Sequence, residues 1–232
     1  MDPFLEKIDI TSVEENIRSG FVRKVYSLLS VQLVLTGVIA FPIQQMDKET
    51  IMENRQYLQL AMILSLVSVL SVTCCCQGLA RQVPWNYFFL FLVTVCEAVI
   101  VGFISALYTT TSVLMAVALT SIIFIGLTMY AMTTETDFTG MGGYLMAFLL
   151  GMIGVSFLMM FFPATPLTQK LMAGAGAVLF SCYIVFDTQL ICGGKHEVSF
   201  GIDDYVFAAL TIYLDIINLF LYLLQLFGDR RD

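Results

Sequence analysis

The sequence predicts an all-α integral membrane protein with seven transmembrane helices, and three observations support this. Hydrophobic residues make up 59% of the 232 residues and charged residues only 12%, against about 45–50% and about 25% in soluble domains. The mean hydropathy of +0.87 leaves too few polar side chains to cover a water-facing surface. Seven apolar runs approach or exceed the ~20 residues that cross a ~30 Å hydrocarbon core.

The seven runs are separated by short breaks that are polar, charged or rich in Gly and Pro. Because the bilayer core offers no water to backbone groups, runs of this length must be helices. They cover residues 25–44, 57–76, 85–107, 112–132, 141–162, 171–192 and 205–227. The predicted organisation is therefore an N-terminal tail (1–24), a seven-helix transmembrane domain (25–227) and a short C-terminal tail (228–232).

The N-terminal tail carries a helix signal of its own. Ser12 and Glu15 have the spacing of a capping box, and Val13, Ile17 and Phe21 recur every four residues. This pattern predicts a short interfacial helix, with a solvated tail as the alternative. The first 20 residues are acidic and polar without an apolar centre, so we expect no cleavable signal peptide.

Lys and Arg in the loops predict the orientation of the chain. Six of them lie on the N-terminal side and three on the opposite side, with Arg230 and Arg231 unassigned. If the last segment crosses fully the balance is six against five, and if it re-enters the balance is eight against three. The N-terminus is therefore predicted to be cytosolic, while the side of the C-terminus stays open.

Composition also excludes several classes of function. The net charge of −7 disfavours nucleic acid as a partner, since binding it needs a concentrated basic face. A single histidine, His196, and the absence of Cys-x-x-Cys exclude the usual zinc sites and a zinc-dependent hydrolase. The six cysteines lie in or at the ends of apolar runs and are interpreted as small apolar residues. Cys74, Cys75 and Cys76 end the second span, where S-acylation is an alternative.

Three acidic residues lie inside apolar runs. Glu97 is in the third run, Asp187 in the sixth and Asp215 in the seventh. An Asp at the centre of a membrane helix costs roughly 2.5–3.5 kcal/mol on insertion scales, and no Lys, Arg or His lies at comparable depth. Such carboxyl groups can stay protonated, share a proton with one another, or bind a cation.

Asp187 and Asp215 lie on consecutive helices and can meet. Two adjacent carboxylates cannot both ionise without a large penalty, so a pair would titrate as a unit and sense protons. In a wet cavity their oxygens would also suit Ca²⁺. The alternative is that each acid is a neutral side chain bonded to a neighbouring helix. Upright helices would offset the two by roughly 6 Å at 1.5 Å per residue.

Several segments resemble one known family. They are residues 203–227 (DDYVFAALTIYLDIINLFLYLLQLF), FDTQ at 186–189 and CEAVIVG at 96–102. Together they strongly resemble the transmembrane BAX inhibitor motif family (BAX inhibitor-1 and Lifeguard proteins). Residues 21–32 (FVRKVYSLLSVQ) resemble its Golgi anti-apoptotic protein branch.

The resemblance implies two three-helix sets around a central seventh helix. It further implies a Ca²⁺ leak across an internal membrane, the Golgi or the endoplasmic reticulum, that lowers stored Ca²⁺ and suppresses apoptosis. Acidification on the cytosolic side would increase the leak. Ca²⁺ is then the permeant ion rather than a cofactor. The candidate partners are the lipid bilayer, Ca²⁺, H⁺, and cell-death regulators or Ca²⁺-release channels.

The resemblance also gives roles to single residues. Asp187 and Asp215 would be the proton-sharing gate and would hold Ca²⁺ transiently. Glu97 would belong to the ion pathway, together with the acidic pair Asp203 and Asp204, which from composition alone could equally be a solvated loop. Arg81 is the nearest match to a basic residue that latches the pair.

Two other functions compete with a proton-gated leak channel. An H⁺-coupled cation exchanger would use the same carboxyl groups. An intramembrane aspartyl protease would also place two Asp on consecutive helices, but the Gly-x-Gly-Asp of those enzymes is missing here. We therefore expect no enzymatic activity.

Overall fold

The computed structural model describes residues 3–71, 82–162, 165–193 and 197–231, with side chains from residue 13 onward. This part of the chain is helical. Its helices are α1 (Pro3–Gln44), α2 (Lys48–Glu53), α3 (Arg55–Leu70), α4 (Trp85–Ser105), α5 (Thr110–Thr133), α6 (Gly142–Leu158), α7 (Pro166–Cys192) and α8 (Tyr205–Phe227).

Six of these helices are long and apolar enough to cross a membrane: α1, α4, α5, α6 together with the 3-10 turn before it (Thr139–Leu158), α7 and α8. The protein is therefore a multi-pass membrane protein in contact with the lipid bilayer. The helix α3 is apolar but has 16 residues, or about 24 Å at 1.5 Å per residue. The chain that follows α3, including Cys74, Cys75, Cys76 and Arg81, lies outside the described residues.

Two helices extend beyond the apolar runs that mark them in the sequence. The interfacial helix predicted in the N-terminal tail and the first span are parts of one helix, α1. The helix α7 begins at Pro166, five residues before its apolar run, and the Thr165 side chain accepts a hydrogen bond from the Thr168 amide. Proline is tolerated there because the first helical amide has no partner within the helix.

The last helix, α8, lies at the centre of the bundle. It packs against α1, α4, α5 and α7, and 67% of its membrane-spanning window is buried, against 11% for the window at α6. The contact with α7 is very close, because a Cβ on Gly176 would lie 2.6 Å from the ring of Tyr222. A side chain at position 176 would therefore displace the Tyr222 ring from α7.

The two ends of the molecule are marked by contacts between distant parts of the chain. At one end Arg18 of α1 contacts the connection between α7 and α8. At the other end the C-terminal tail contacts the α4–α5 turn, where the Thr109 amide donates to the Asp229 carbonyl at 3.0 Å. Because α8 crosses the whole molecule, the C-terminus lies at the end opposite to Arg18.

Candidate functional site

Asp187 of α7 and Asp215 of α8 meet in the interior of the bundle. Their carboxyl groups share a hydrogen bond, and each side chain is 6% exposed. An ionised carboxylate has acceptor atoms only. The hydrogen bond between the two groups therefore requires that one of them carries a proton.

The direction in which helical side chains lean brings the two acids together. Side chains on a helix tilt toward its N-terminus, and α7 and α8 run in opposite directions. Asp187 therefore leans away from the connection between these helices, while Asp215 leans toward it. These opposite tilts shorten the ~6 Å offset expected for upright helices.

Two hydroxyl groups lie beside the pair, each four residues before one of the acids. The Thr211 hydroxyl donates to the Ala208 carbonyl oxygen at 3.1 Å and is also hydrogen-bonded to Asp187. The Tyr183 phenol is within electrostatic range of both acids. Neither residue was among the predicted site residues, although a polar residue four positions before a buried acid shares its helix face, a signal that the sequence carries.

One oxygen of the pair has no partner. The Oδ2 atom of Asp215 is buried and makes no hydrogen bond within the described residues. An unsatisfied buried acceptor costs about 1–3 kcal/mol. This oxygen is therefore available to accept a hydrogen bond from water or to contact a cation.

Glu97 belongs to α4 and lies apart from the aspartate pair, against α3. Its Oε1 accepts a hydrogen bond of 2.6 Å from the Ser65 hydroxyl of α3, and it is close enough to the Tyr213 phenol to interact with it electrostatically. Tyr213 is fully buried and its hydroxyl lies 2.8 Å from that of Thr36. In the described part of the chain no hydrogen bond joins Glu97 to the aspartate pair.

The remaining predicted site residues lie at the end of α8 or outside the described chain. Asp203 and Asp204 belong to a 3-10 turn, Ile202–Asp204, that leads into α8, about three turns from Asp215. Arg81 is not among the described residues. Among those that are, no group of three or more His, Cys, Asp or Glu could hold a metal ion, so the aspartate pair is not part of a larger carboxylate cage.

Arg18 ties α1 to the end of α7 and was not predicted as a site residue. Its guanidinium donates to the carbonyl oxygens of Leu190, Cys192 and Phe200 and lies 4.7 Å from the centroid of the Phe21 ring. A cation at a helix C-terminus is favoured by the helix dipole. The sequence holds no signal for this contact, because the acceptors are backbone atoms.

A second anchor near the pair is Gln189, which lies two residues after Asp187 and is fully buried. Its Nε2 donates to the Thr136 carbonyl at 2.8 Å and its Oε1 accepts from the Phe138 amide at 2.7 Å. These bonds tie the α5–α6 connection to α7. Both Arg18 and Gln189 therefore hold the part of α7 that carries Asp187.

Comparisons with known proteins give matches over nearly the whole chain. The family model described as "Inhibitor of apoptosis-promoting Bax1" matches residues 18–232. The chain is 34% identical to human "Protein lifeguard 3" over 94% of this chain and 71% of the relative. It is 30% identical to "Bax inhibitor 1" of Schizosaccharomyces pombe over all of this chain and 85% of the relative.

Proposed function

The chain belongs to the family described as "Inhibitor of apoptosis-promoting Bax1", and we propose that it acts as a pH-sensitive Ca²⁺ leak channel. The family is one of anti-apoptotic membrane proteins. The proposed channel lies in the Golgi or the endoplasmic reticulum with its N-terminus in the cytosol. Its leak lowers stored Ca²⁺ and thereby suppresses apoptosis. The proposal includes seven spans, in two three-helix sets around α8.

The observation that carries the proposal is the hydrogen-bonded pair of buried carboxyl groups on two adjacent membrane helices. With one shared proton the pair carries one negative charge, and its hydrogen bond is charge-assisted, which is the stronger kind. This bond holds α8 against α7. The free Oδ2 of Asp215 gives a passing Ca²⁺ a weak ligand, as conduction requires.

The expected pH response follows from the charge of the pair. A second proton leaves both carboxyl groups neutral, so that the bond between α7 and α8 loses its charge assistance and weakens. Acidification then frees α8 and increases the leak, which is the direction that the family resemblance implies. The exposed Asp203, the half-buried Asp204, and Glu97 beside Ser65 are proposed to guide the ion.

Ion flux tests this function directly. The purified protein is reconstituted in Ca²⁺-loaded liposomes with reporters for Ca²⁺, Na⁺ and H⁺, and flux is measured between about pH 6 and about pH 8. We expect D187N and D215N to abolish the pH response, because an amide keeps the size of the group and removes its proton equilibrium. The control is E49Q, which removes an exposed carboxylate on α2.

Each outcome decides between the functions considered. Unchanged flux and an unchanged pH response in both aspartate variants contradict the gate. Flux that saturates and depends on a counter-ion supports an H⁺-coupled exchanger instead. A pH response lost in both aspartate variants and retained in E49Q supports the leak channel.

A further inference from the structure

An apolar groove opens between α1, α5 and α8, on the side of α8 that faces away from the aspartate pair. Its volume is about 490 Å³, within the range of about 300–1,000 Å³ typical of small-molecule sites. Most of its lining is aliphatic or aromatic, including Leu33, Val113 and Phe220. A Cβ on Gly37, which also lines the groove, would meet no atom within 4 Å. The groove is therefore suited to an extended hydrocarbon chain.

One end of the groove is polar. Gln44, Ser105 and Thr110 line it there, where α1 and α4 end and α5 begins, and the Gln44 Nε2 donates to the Thr110 hydroxyl at 3.2 Å. Ser105 is only 2% exposed, and its hydroxyl makes no hydrogen bond to any described residue. Since an unmade hydrogen bond of a buried group is costly, this hydroxyl indicates a missing acceptor.

Two arginine side chains lie just beyond this polar end. The C-terminal tail runs beside the α4–α5 turn, with Arg230 paired to Tyr108 in an isolated bridge. The Arg231 side chain donates to the Met46 carbonyl at 3.3 Å, two residues from Gln44. Both arginines are exposed. Their acidic neighbours among the described residues include Asp47, which interacts with Arg231, and Asp229, which precedes Arg230 in the chain. Both acids are exposed, so water screens their charges. An anionic group can therefore reach both guanidinium groups.

We propose that this groove binds an anionic phospholipid. One acyl chain lies along α8 between α1 and α5, an ester carbonyl accepts a hydrogen bond from Ser105, and the phosphate contacts Arg231 and Arg230. Along the groove the site is first apolar, then polar and then cationic. This order matches the acyl chain, the ester and the phosphate of a phospholipid. The site is separate from the proposed gate.

Native mass spectrometry of the purified protein tests the proposal. The protein is offered an equimolar mixture of phosphatidylglycerol and phosphatidylcholine with the same acyl chains. We expect it to retain phosphatidylglycerol preferentially. The R230Q/R231Q double variant should lose this preference by about fivefold or more, since each basic residue near a phosphate is worth about 1 kcal/mol.

Two glycine variants test the hydrocarbon part. G37L fills the groove and should reduce the binding of both lipids. G126L is the matched control, because its Cβ would also meet no atom within 4 Å but it does not line the groove. K170Q is the matched control for charge, since Lys170 is an exposed base of α7 at the same end of the bundle. Both controls should bind lipid as the unchanged protein does.

Three results would overturn the proposal. They are equal retention of the two lipids, an unchanged preference in R230Q/R231Q, and lipid binding by G37L equal to that of G126L. The arginine variant keeps the test decisive if G37L does not fold, because its changes lie on the exposed tail.

Discussion

A hydrogen bond between two carboxyl groups constrains the chemistry of both. Asp187 and Asp215 can share a bond only while one of them is protonated, whereas Glu97 can accept from the Ser65 hydroxyl in its ionised form. The three intramembrane acids therefore differ in whether their hydrogen bonds require a protonated carboxyl group, although all three are acidic residues inside apolar runs of the sequence. The pair depends on a proton, and Glu97 does not.

Thr211 is expected to stabilise the pair. Replacement by valine keeps the shape of the side chain and removes the hydroxyl that is hydrogen-bonded to Asp187. We expect T211V to lower the free energy of unfolding by about 0.5–2 kcal/mol, in the range measured for hydrogen bonds between membrane helices, and T211S to restore it. Thermal unfolding of the purified protein in detergent measures the difference.

The control for Thr211 is Thr120 of α5, which is buried. Its hydroxyl donates to the Ala116 carbonyl of its own helix at 2.7 Å. T120V removes a bond within one helix rather than between two. If T120V and T211V cost the same, the contact with Asp187 contributes nothing of its own. Non-additivity of T211V with D187N would locate the effect at the pair.

Among the helices, α7 depends on contacts that its own sequence does not contain. Its start at Pro166 follows from a rule that the sequence carries, because Thr165 caps it and proline suits the first helical position. Its C-terminal end is held by hydrogen bonds from the Arg18 side chain of α1 to backbone carbonyl groups. Periodicity and caps can predict the first feature, while the second is a tertiary contact.

Loss of the Arg18 contacts is expected to loosen the connection between α7 and α8. We expect R18Q to speed amide hydrogen exchange around residues 197–204 by about tenfold, the effect of losing about 1.4 kcal/mol from a charged hydrogen-bond network. The Phe200 amide, which donates to the Leu190 carbonyl at 3.1 Å, is the reporter. Hydrogen exchange with mass spectrometry gives the measurement.

R23Q is the matched variant, because Arg23 lies on the same helix with an exposed side chain. Exchange as slow in R18Q as in R23Q would show that the guanidinium does not hold the connection. R18K should resemble R18Q, since an ammonium group lacks the planar fork of donors that reaches three carbonyl groups.

For the whole molecule, the sequence predicts the helical membrane architecture well and the site in part. The predicted start of the third span at Trp85 agrees with the start of α4, and the predicted span 205–227 agrees with both ends of α8. This agreement is expected because a long apolar run crosses a bilayer as a helix. The helices that carry Asp187 and Asp215 were identifiable for the same reason. Arg18 and Ser105 were not, because each matters through a neighbour distant in the chain or through a backbone atom.

The narrower family branch and the full number of spans stay predictions. The relatives named above carry both lifeguard and Bax inhibitor names, so they establish the family rather than its Golgi branch. The second predicted span continues past α3 into residues that the structure does not describe.

The two termini are expected on opposite sides of the membrane. The Arg18 end of α1 and the Asp229 end of the tail lie at opposite ends of the bundle. With an epitope tag at each terminus, protease added to sealed vesicles should remove one tag and leave the other until detergent is added. Removal of both tags without detergent would contradict the crossing of α8.

The conformation of Gly193 restricts which residues positions 193 and 18 can hold together. It has a φ of +58°, and a Cβ there would lie 2.5 Å from the Arg18 guanidinium. A side chain at 193 would strain the backbone and would displace the Arg18 guanidinium from its carbonyl partners. Positions 18 and 193 are therefore not free to drift independently during evolution, and relatives that keep the arginine should keep the glycine with it.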